Sequence, residues 1–251
     1  MNNNSITVCI ATFNGEDFII QQIESILNNI GPNDEIIIVD DCSTDRTVEI
    51  ISDLNDKRVK LFINKTNSGE VFSFNRALSL ARNNFIFLSD QDDVWQEGRT
   101  KLMIQKLKLN KSFVLSSNFD WIDKDNNYLD IFYDGVSSKD SFKHFKNIAD
   151  IFVGKTNYFG CSMLIFREAL NIILPIPRFV ESHDLWIALV ANILKKNCHI
   201  NNKTFLKRSH KNNLTSTISN RNFMKSIWSR IIFLISIVII FKRRFILKFN
   251  D

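Results

Sequence analysis

Glycine, proline and paired cysteines are scarce in this sequence. Its 251 residues include only 7 Gly and 3 Pro, which argues against a disordered chain or a repeat array. The four cysteines are scattered without a C-x-x-C pair, and Cys9 and Cys161 lie in apolar runs, so we expect them to be core thiols. No signal peptide is recognisable, because the polar residues 1–4 are followed at once by an apolar stretch. A reducing, cytoplasmic location is therefore expected.

Acidic residues are nearly absent from the end of the chain. Residues 205–251 contain ten Lys/Arg against one acid, a net charge of +9, whereas residues 1–204 contain twenty-two Lys/Arg against twenty-six acids, a net charge of −4. The basic tail is therefore expected to face an anionic partner. It is too apolar for an arm that tracks nucleic-acid phosphates, so nucleic acid is not the expected partner.

Short apolar runs alternate with helical spacing over the first hundred residues. Strands are predicted at Ile6–Ala11, Glu35–Val39, Val59–Ile63 and Phe85–Leu88, with helices between them. This alternation predicts an α/β fold with a doubly wound, mainly parallel sheet flanked by helices. We expect residues 1–110 to form a nucleotide-binding half and residues 111–215 an acceptor-binding and catalytic half of the same domain. Residues 216–251 would form an amphipathic helical tail.

The second half has a less regular pattern. It predicts a hairpin turn at Asp123–Asn127, a helix over Asp140–Ile151, a strand over Cys161–Phe166, a helix opening at Ser182 and a strand pair within Cys198–Phe205.

Three carboxylates crowd the end of the fourth strand, in the stretch Ser89-Asp90-Gln91-Asp92-Asp93-Val94-Trp95. Ligands bind at this edge of an open α/β sheet, and adjacent like charges need a compensating cation. Because carboxylate oxygens suit hard ions such as Mg²⁺ or Mn²⁺, the cluster indicates a metal site for a phosphorylated substrate. A solvated acidic turn before a helix would show the same residues, and that alternative stays open on this stretch alone.

Several stretches in fixed order resemble the family-2 glycosyltransferases of the GT-A fold, and the Asp-Gln-Asp-Asp-Val-Trp form is most similar to bacterial rhamnosyltransferase-type members. They span residues 6–213: Ala11-Thr12-Phe13-Asn14-Gly15, Val39-Asp40-Asp41-Cys42-Ser43-Thr44-Asp45, Asn67-Ser68-Gly69, Ser89 to Trp95, Gly160-Cys161-Ser162, His183-Asp184 and Arg208-Ser209-His210.

The resemblance implies a role for each matching residue. The implied nucleotide-binding residues are Thr12, Asn14, Asp41, Asn67, Asp90 and Gln91, with Asp41 accepting a hydrogen bond from the base. Asp92 would bind Mn²⁺ or Mg²⁺ as part of an Asp-x-Asp motif, with His210 as a further ligand or else a loop histidine. Asp184 would be the catalytic base, or else only an acid at a helix N-terminus. Gly160, Trp95 and Trp186 would contact the acceptor, although either tryptophan could instead be a core residue.

One residue departs from the pattern. Phe74 stands where the family often has a basic residue, so a phosphate contact would have to come from Arg76 or elsewhere.

The implied reaction is metal-dependent, inverting transfer of a sugar from a nucleotide-diphosphate donor, such as dTDP-rhamnose or a UDP-sugar. The acceptor would be a hydroxyl of a glycan or lipid-linked glycan in cell-surface polysaccharide synthesis, such as O-antigen or capsule. Two alternatives remain. A nucleotidyltransferase acting on a sugar phosphate would be expected to carry a Gly-rich loop, which Thr12–Gly15 is not. A non-catalytic carbohydrate-binding protein would not need both an acidic cluster and Asp184.

The tail has an apolar run too short to span a bilayer. Residues Ile231–Phe241 are apolar except for Ser236, and as a helix they would cover roughly 16 Å, about half of a hydrocarbon core. Basic residues flank the run: Lys225, Arg230, Lys242, Arg243, Arg244 and Lys248. This arrangement predicts a helix on the anionic inner face of the cell membrane. A core helix or a homodimer interface would bury the same run, and that alternative stays open.

Overall fold

The structure, a computed structural model, describes residues 4–155, 158–209 and 223–248. Its strands are β1 Ile6–Thr12, β2 Glu35–Asp40, β3 Val59–Ile63, β4 Phe85–Ser89, β5 Val94–Trp95, β6 Val114–Ile122, β7 Tyr128–Leu129, β8 Met163–Phe166 and β9 Asn197–Arg208. Its α-helices are α1 Ile19–Leu27, α2 Thr47–Ser52, α3 Glu70–Leu80, α4 Arg99–Leu109, α5 His144–Val153, α6 Leu170–Ile173, α7 His183–Ile193 and α8 Phe223–Lys248.

Across the described residues, the strands form one sheet in the order β3-β2-β1-β4-β8-β6-β9-β5, with β7 paired to β6. The first four strands in this order are parallel, whereas β8 runs antiparallel to both of its neighbours. The register pairs Thr12 with Asp40 and Ile10 with Ser89. The loops that follow β1, β2 and β4 therefore leave the sheet at one edge, as the sequence predicts.

Both faces of the sheet are buried, which explains why its central strands are continuous apolar runs rather than alternating ones. Cys9 on β1 and Leu88 on β4 point to the core on the side of α3 and α7, whereas Val8 and Phe87 point to the core on the side of α1 and α4. The predicted α/β architecture is confirmed.

The second half differs from the prediction in three places. The expected strand pair in Cys198–Phe205 is instead the single strand β9, which pairs with β6 through two register shifts. The strand expected from Cys161 begins at Met163, after a 3₁₀ turn over Gly160–Ser162. Helix α5 begins at His144 rather than Asp140. The predicted hairpin at Asp123–Asn127 is confirmed by the antiparallel pairing of β6 with β7.

The tail helix α8 packs on α6 and α7 through one narrow face. Ile232, Ser236 and Ile240 are buried against the body of the protein. Arg243 donates hydrogen bonds of 2.7 Å to the carbonyls of Ile172 and Pro175, so its guanidinium closes the end of α6. Among the helices that the structure describes, none combines the length and the apolarity needed to cross a bilayer.

Candidate active site

Gln91 ties the loop after β4 to the loop after β1. Its amide oxygen accepts hydrogen bonds from Thr12 Oγ1 at 2.7 Å and from the Phe13 N–H at 2.8 Å. Asn14 follows in the left-handed region, with φ of 48°, and its Oδ1 accepts a hydrogen bond of 2.8 Å from the Thr44 N–H. The structure thus brings Thr12, Asn14 and Gln91 to one rim of the sheet.

Asp41 organises the loop after β3. Its carboxylate is only 4% exposed and accepts hydrogen bonds of 2.7 Å from Asn64 Nδ2, 2.9 Å from the Ser68 N–H and 2.7 Å from the Gly69 N–H. Asn67 is exposed in the same loop. Asp41 therefore fixes the loop that borders the rim, and contact of Asp41 or Asn67 with a nucleotide stays a prediction.

The acidic stretch places two of its carboxylates around a buried ammonium group. Lys207, at the end of β9, lies with Nζ 2.9 Å from Asp90 Oδ2 and 4.0 Å from Asp93 Oδ1. The same Nζ is 3.6 Å from the Cys161 thiol. Lys207 and Asp93 are buried, whereas the Asp90 side chain is 29% exposed. Lysine 207 was not among the residues singled out from the sequence.

These four groups set one another's ionisation. Burial opposes the charge on Asp90, but the Lys207 ammonium outweighs it and holds the pKa of Asp90 below its ordinary value. Burial raises the pKa of Asp93 to about 7, against the attraction of Lys207. Burial, followed by the nearby Asp90 carboxylate, raises the pKa of Cys161. Cys161 is therefore a neutral thiol, as the apolar run around it indicates.

Asp184 stands in the first turn of α7, directly after His183. Its Oδ1 accepts a hydrogen bond of 2.7 Å from the Leu185 N–H. The His183 ring stacks on Phe74 with centroids 4.0 Å apart, and its Nδ1 is 3.2 Å from Glu70 Oε1. Burial, reinforced by Asp90 and Asp184 and opposed by His183, raises the pKa of Glu70.

A cavity of about 740 Å³ joins the two acidic groups. Asp90 and Lys207 line it at the sheet, and Asp184, His183 and Glu70 line it from α7 and α3. Its far wall belongs to the tail helix: Ser226, Ser229, Arg230, Ile232, Phe233 and Ser236. The predicted donor residue Asp90, the predicted base Asp184 and the predicted acceptor residue Gly160 thus share one enclosed space, and α8 closes part of it.

The two tryptophans expected at the acceptor site are core residues. Trp95 is 4% exposed; the Arg99 guanidinium lies 4.6 Å from its ring centroid, and its indole N–H donates to Ser89 Oγ at 3.2 Å. Trp186 is 2% exposed and donates to the Ile173 carbonyl at 2.9 Å. Trp186 borders the cavity, and contact of either tryptophan with an acceptor stays a prediction.

The basic residue missing at Phe74 is not replaced by Arg76. Phe74 is buried, and Arg76 Nη1 donates to the Ile63 carbonyl at 2.9 Å and to Asn64 Oδ1 at 2.6 Å, away from the cavity. Arg76 therefore supplies no cation to the cavity, and a phosphate contact there stays a prediction.

Residues 7–174 match the profile of glycosyl transferase family 2. The chain belongs to this family. Among curated family members, an uncharacterized glycosyltransferase of Haemophilus influenzae is 32% identical over 131 residues, covering 51% of this chain and 52% of that protein. The Escherichia coli UDP-Glc:alpha-D-GlcNAc-diphosphoundecaprenol beta-1,3-glucosyltransferase WfaP is 35% identical over 48% of this chain and 47% of its own length. The chain thus spans about half the length of these two relatives.

Solved structures of low sequence identity share the fold. The S. aureus TarS fragment 1–349 in complex with UDP-GlcNAc aligns with a TM-score of 0.69 at 19% identity, over 93% of this chain and 66% of that one. The mannosyltransferase PcManGT of Pyrobaculum calidifontis, solved with GDP-Man and Mn²⁺, aligns with a TM-score of 0.60 at 17% identity over 82% and 57% of the two chains. The expected GT-A-like fold is confirmed.

The acid cluster of this family-2 chain offers suitable oxygens for a divalent ion. Asp90, Asp93 and Cys161 have candidate ligand atoms within 4.8 Å of one another, and Asp93 Oδ2 is buried with no hydrogen-bond partner among the described residues. Carboxylates suit Mn²⁺ or Mg²⁺, whereas a neutral thiol does not. Asp92, the predicted ligand, is half-buried beside this cluster. His210, the second predicted ligand, lies outside the described residues.

Sequence reasoning gave no role to the two basic residues that join the elements of this family-2 site: Lys207 was not singled out, and Arg208 was named only within a matching stretch. Arg208 donates from Nε to the Asp92 carbonyl at 2.9 Å and from Nη1 to the Asp123 carbonyl at 2.9 Å, so it links the acidic loop to the β6–β7 hairpin. Lys207 and Arg208 are adjacent on β9 and point to opposite sides of the strand, and both lie beyond the strand pair predicted within Cys198–Phe205.

Proposed function

We propose that this family-2 protein transfers a sugar from a nucleotide-diphosphate donor to a hydroxyl group of a glycan or lipid-linked glycan during synthesis of bacterial cell-surface polysaccharide. The observation that carries the proposal is the shared cavity, in which Asp90 on the donor side and Asp184 on the acceptor side face one space. UDP-sugars and dTDP-rhamnose are the donors to test first. WfaP carries UDP-Glc in its name, TarS is solved with UDP-GlcNAc, and the Asp-Gln-Asp-Asp-Val-Trp stretch resembles rhamnosyltransferases.

In this proposal the rim of the sheet binds the nucleotide. Thr12, Asn14, Asp41, Asn67 and Gln91 surround the base and ribose, while Asp90 and Asp92 hold a divalent ion, Mn²⁺ or Mg²⁺, with His210 as a further ligand. When bound, such an ion neutralises the charge of a departing nucleoside diphosphate.

Asp184 takes the proton of the acceptor hydroxyl. Its place in the first turn of α7 suits an ionised carboxylate, because the helix N-terminus stabilises negative charge. Gly160 and the α8 wall shape the acceptor side of the cavity. A single base on the face opposite the leaving group implies inversion at the anomeric carbon.

The test is metal-dependent transfer from a panel of nucleotide sugars, with the anomeric configuration of the product determined by NMR. Asp184→Asn should leave donor binding near normal and cut turnover by about 10² or more, within the usual range for loss of a general base. Glu181→Gln is the matched control, because Glu181 is a second carboxylate lining the same cavity. Normal turnover in D184N, or a retained anomeric configuration, would contradict the assigned mechanism.

We further propose that α8 attaches the protein to the inner face of the cell membrane. One exposed stripe of the helix is apolar except for Lys242: Ile227, Trp228, Ile231, Leu234, Ile235, Val238, Phe241 and Phe245 are its apolar residues. The opposite face lines the cavity or packs on α7, so the stripe on a lipid surface would keep the cavity mouth close to a lipid-linked acceptor. WfaP, by its name, acts on such an acceptor.

The structure revises one part of the expected attachment. Lys242 is exposed, but Arg243 is turned into the protein, with its guanidinium 5.3 Å from the Trp186 ring centroid. Fewer basic groups are therefore available to anionic lipids than the sequence indicates, and apolar contact becomes the larger contribution.

Flotation with liposomes containing anionic lipid tests this attachment. Ile231→Asn, Leu234→Asn and Val238→Asn together should abolish flotation, since these side chains are exposed and their loss spares the buried face of α8. The matched control replaces Leu109, Tyr128 and Phe132 with asparagine, because these apolar side chains are exposed elsewhere. Equal flotation of both variants would refute attachment through the stripe. A stripe variant that changes from dimer to monomer, with wild-type protein that never floats, would show a homodimer interface instead.

A further inference from the structure

Lys207 is a cation built into the donor side of the cavity. It is 5% exposed, yet its Nζ reaches the cavity wall beside Asp90. A buried ammonium group destabilises the fold unless a negative charge lies beside it. Here the Lys207 ammonium lies 2.9 Å from the Asp90 carboxylate and 4.0 Å from the Asp93 carboxylate. The ring of Phe159 adds a further contact, with its centroid 5.7 Å from Nζ.

The position of Lys207 is set by rigid elements. It pairs with Trp121 of β6 in the sheet register, and the next residue, Arg208, is anchored by the carbonyls of Asp92 and Asp123. The backbone of Lys207 is therefore held in the sheet, and its ammonium lies beside Asp90 in this structure.

The other cations near this side of the cavity are occupied elsewhere. Arg76 is tied to the loop after β3, and Arg99 donates to Thr204 Oγ1 at 2.5 Å and to the Cys161 carbonyl at 2.6 Å within the core. Arg230 lines the opposite wall, on α8. Among the described residues that line the cavity, Lys207 is thus the cation placed on the sheet side, next to Asp90.

We propose that Lys207 binds the diphosphate of the donor directly and, in the ligand-free protein, competes with the divalent ion for Asp90. The inference rests on the proposed function, because it assumes a nucleoside diphosphate in this cavity. Two consequences follow from the charges. The protein binds a nucleoside diphosphate without metal, and it binds metal alone weakly, because an ammonium already shares the carboxylates.

Equilibrium binding distinguishes these consequences from a purely structural role. The probes are UDP and dTDP, titrated by calorimetry in EDTA, and Mn²⁺ alone, followed by electron paramagnetic resonance of the free ion. Lys207→Met should weaken binding of the preferred nucleotide in EDTA by roughly 10- to 100-fold, the usual worth of a hydrogen bond to a charged group. The same variant should bind Mn²⁺ alone several-fold more tightly. Lys207→Arg should largely keep metal-free nucleotide binding, because it keeps the charge.

Lys203→Met is the matched control, because Lys203 lies on the same strand and pairs with Asp120 at the surface. It should change neither affinity. If K207M does not fold, the double variant Lys207→Met with Asp93→Asn removes the ammonium together with a partner carboxylate. Only the expected loss of nucleotide binding in EDTA applies to this variant, because Asp93 is itself a candidate metal ligand.

The outcomes separate this inference from the proposed function. Unchanged nucleotide affinity in EDTA for K207M overturns the direct contact, and unchanged or weaker Mn²⁺ binding overturns the competition. Wild-type protein that binds neither nucleotide, with or without Mn²⁺, would remove the proposed function for UDP and dTDP donors and this inference with it. If wild-type protein binds UDP or dTDP only in the presence of Mn²⁺, and K207M then binds the nucleotide with the same affinity, the inference alone is removed.

Discussion

Replacing Gly160 with alanine is expected to disturb the start of α7, and with it the proposed base. Gly160 is buried in the 3₁₀ turn before β8 and faces the edge of the His183 ring. A Cβ at position 160 would overlap His183 Nε2 and lie 3.2 Å from Cε1 and 3.3 Å from Cδ2. The ring is confined on one face by Phe74 and at its other edge by Glu70, so it has little room to retreat.

The expected cost follows from this confinement. Overpacking a well-filled site costs about 1–3 kcal/mol, which for a domain of this size lowers the melting temperature by roughly 2–12 °C. Because Asp184 follows His183 directly, a displaced ring would also move the proposed base. A misplacement of about 1 Å can reduce turnover by roughly 10².

A double-mutant cycle measures the contact itself. Thermal unfolding and turnover would be compared for Gly160→Ala, His183→Ala and the double variant. In the His183→Ala background, where the imidazole ring is absent, Gly160→Ala should change stability and turnover little. Gly31→Ala is the matched control, since its Cβ would meet only Asp34 Oδ2 at an ordinary 3.5 Å. A G160A variant as stable and active as wild type, or an equal loss in the H183A background, would refute the steric argument.

Two further outcomes are expected. His199 is buried and hydrogen-bonded to Tyr158 Oη at 2.9 Å. Burial lowers the pKa of His199 from 6.5 to about 4. Between these two pH values the unfolded chain therefore takes up a proton at His199, whereas the folded protein does not. The free energy of unfolding should therefore fall by roughly 3 kcal/mol from pH 6.5 to pH 4, and urea titrations should show a flatter pH dependence for His199→Gln. In the flotation assay, high salt should release only part of the protein, since Arg243 faces inward; complete release would show that basic groups carry the attachment.

The first half of the fold could be predicted from the sequence because its signals are local. Four mainly apolar runs separated by helical spacing give parallel strands whose loops leave one edge, and three of these strands, β1, β2 and β4, are buried on both faces. The convergence of Thr12, Asn14, Asp41 and Asp90 then follows from topology alone. Their hydrogen-bond partners do not follow from it, because the contact of Thr12 with Gln91 joins residues far apart in sequence.

The second half was harder to predict because polar residues interrupt its strands. Asn201, Asn202 and Lys203 suggest a turn between two short strands, but β9 continues through them. The register with β6 shifts twice over this region, and the three side chains are exposed, so the strand accommodates them without ending.

The tail helix α8 can be predicted from the sequence, but the function of each of its faces cannot. Its apolar run is visible in the sequence, but periodicity does not say which face meets the protein. In the structure the buried face is narrow and includes Ser236, whereas the exposed stripe is apolar except for Lys242. Residues of the same helix also line the cavity that contains Asp184, so α8 forms part of the candidate site. If α8 lies on a membrane as proposed, its contact with lipid would act directly on this wall of the cavity.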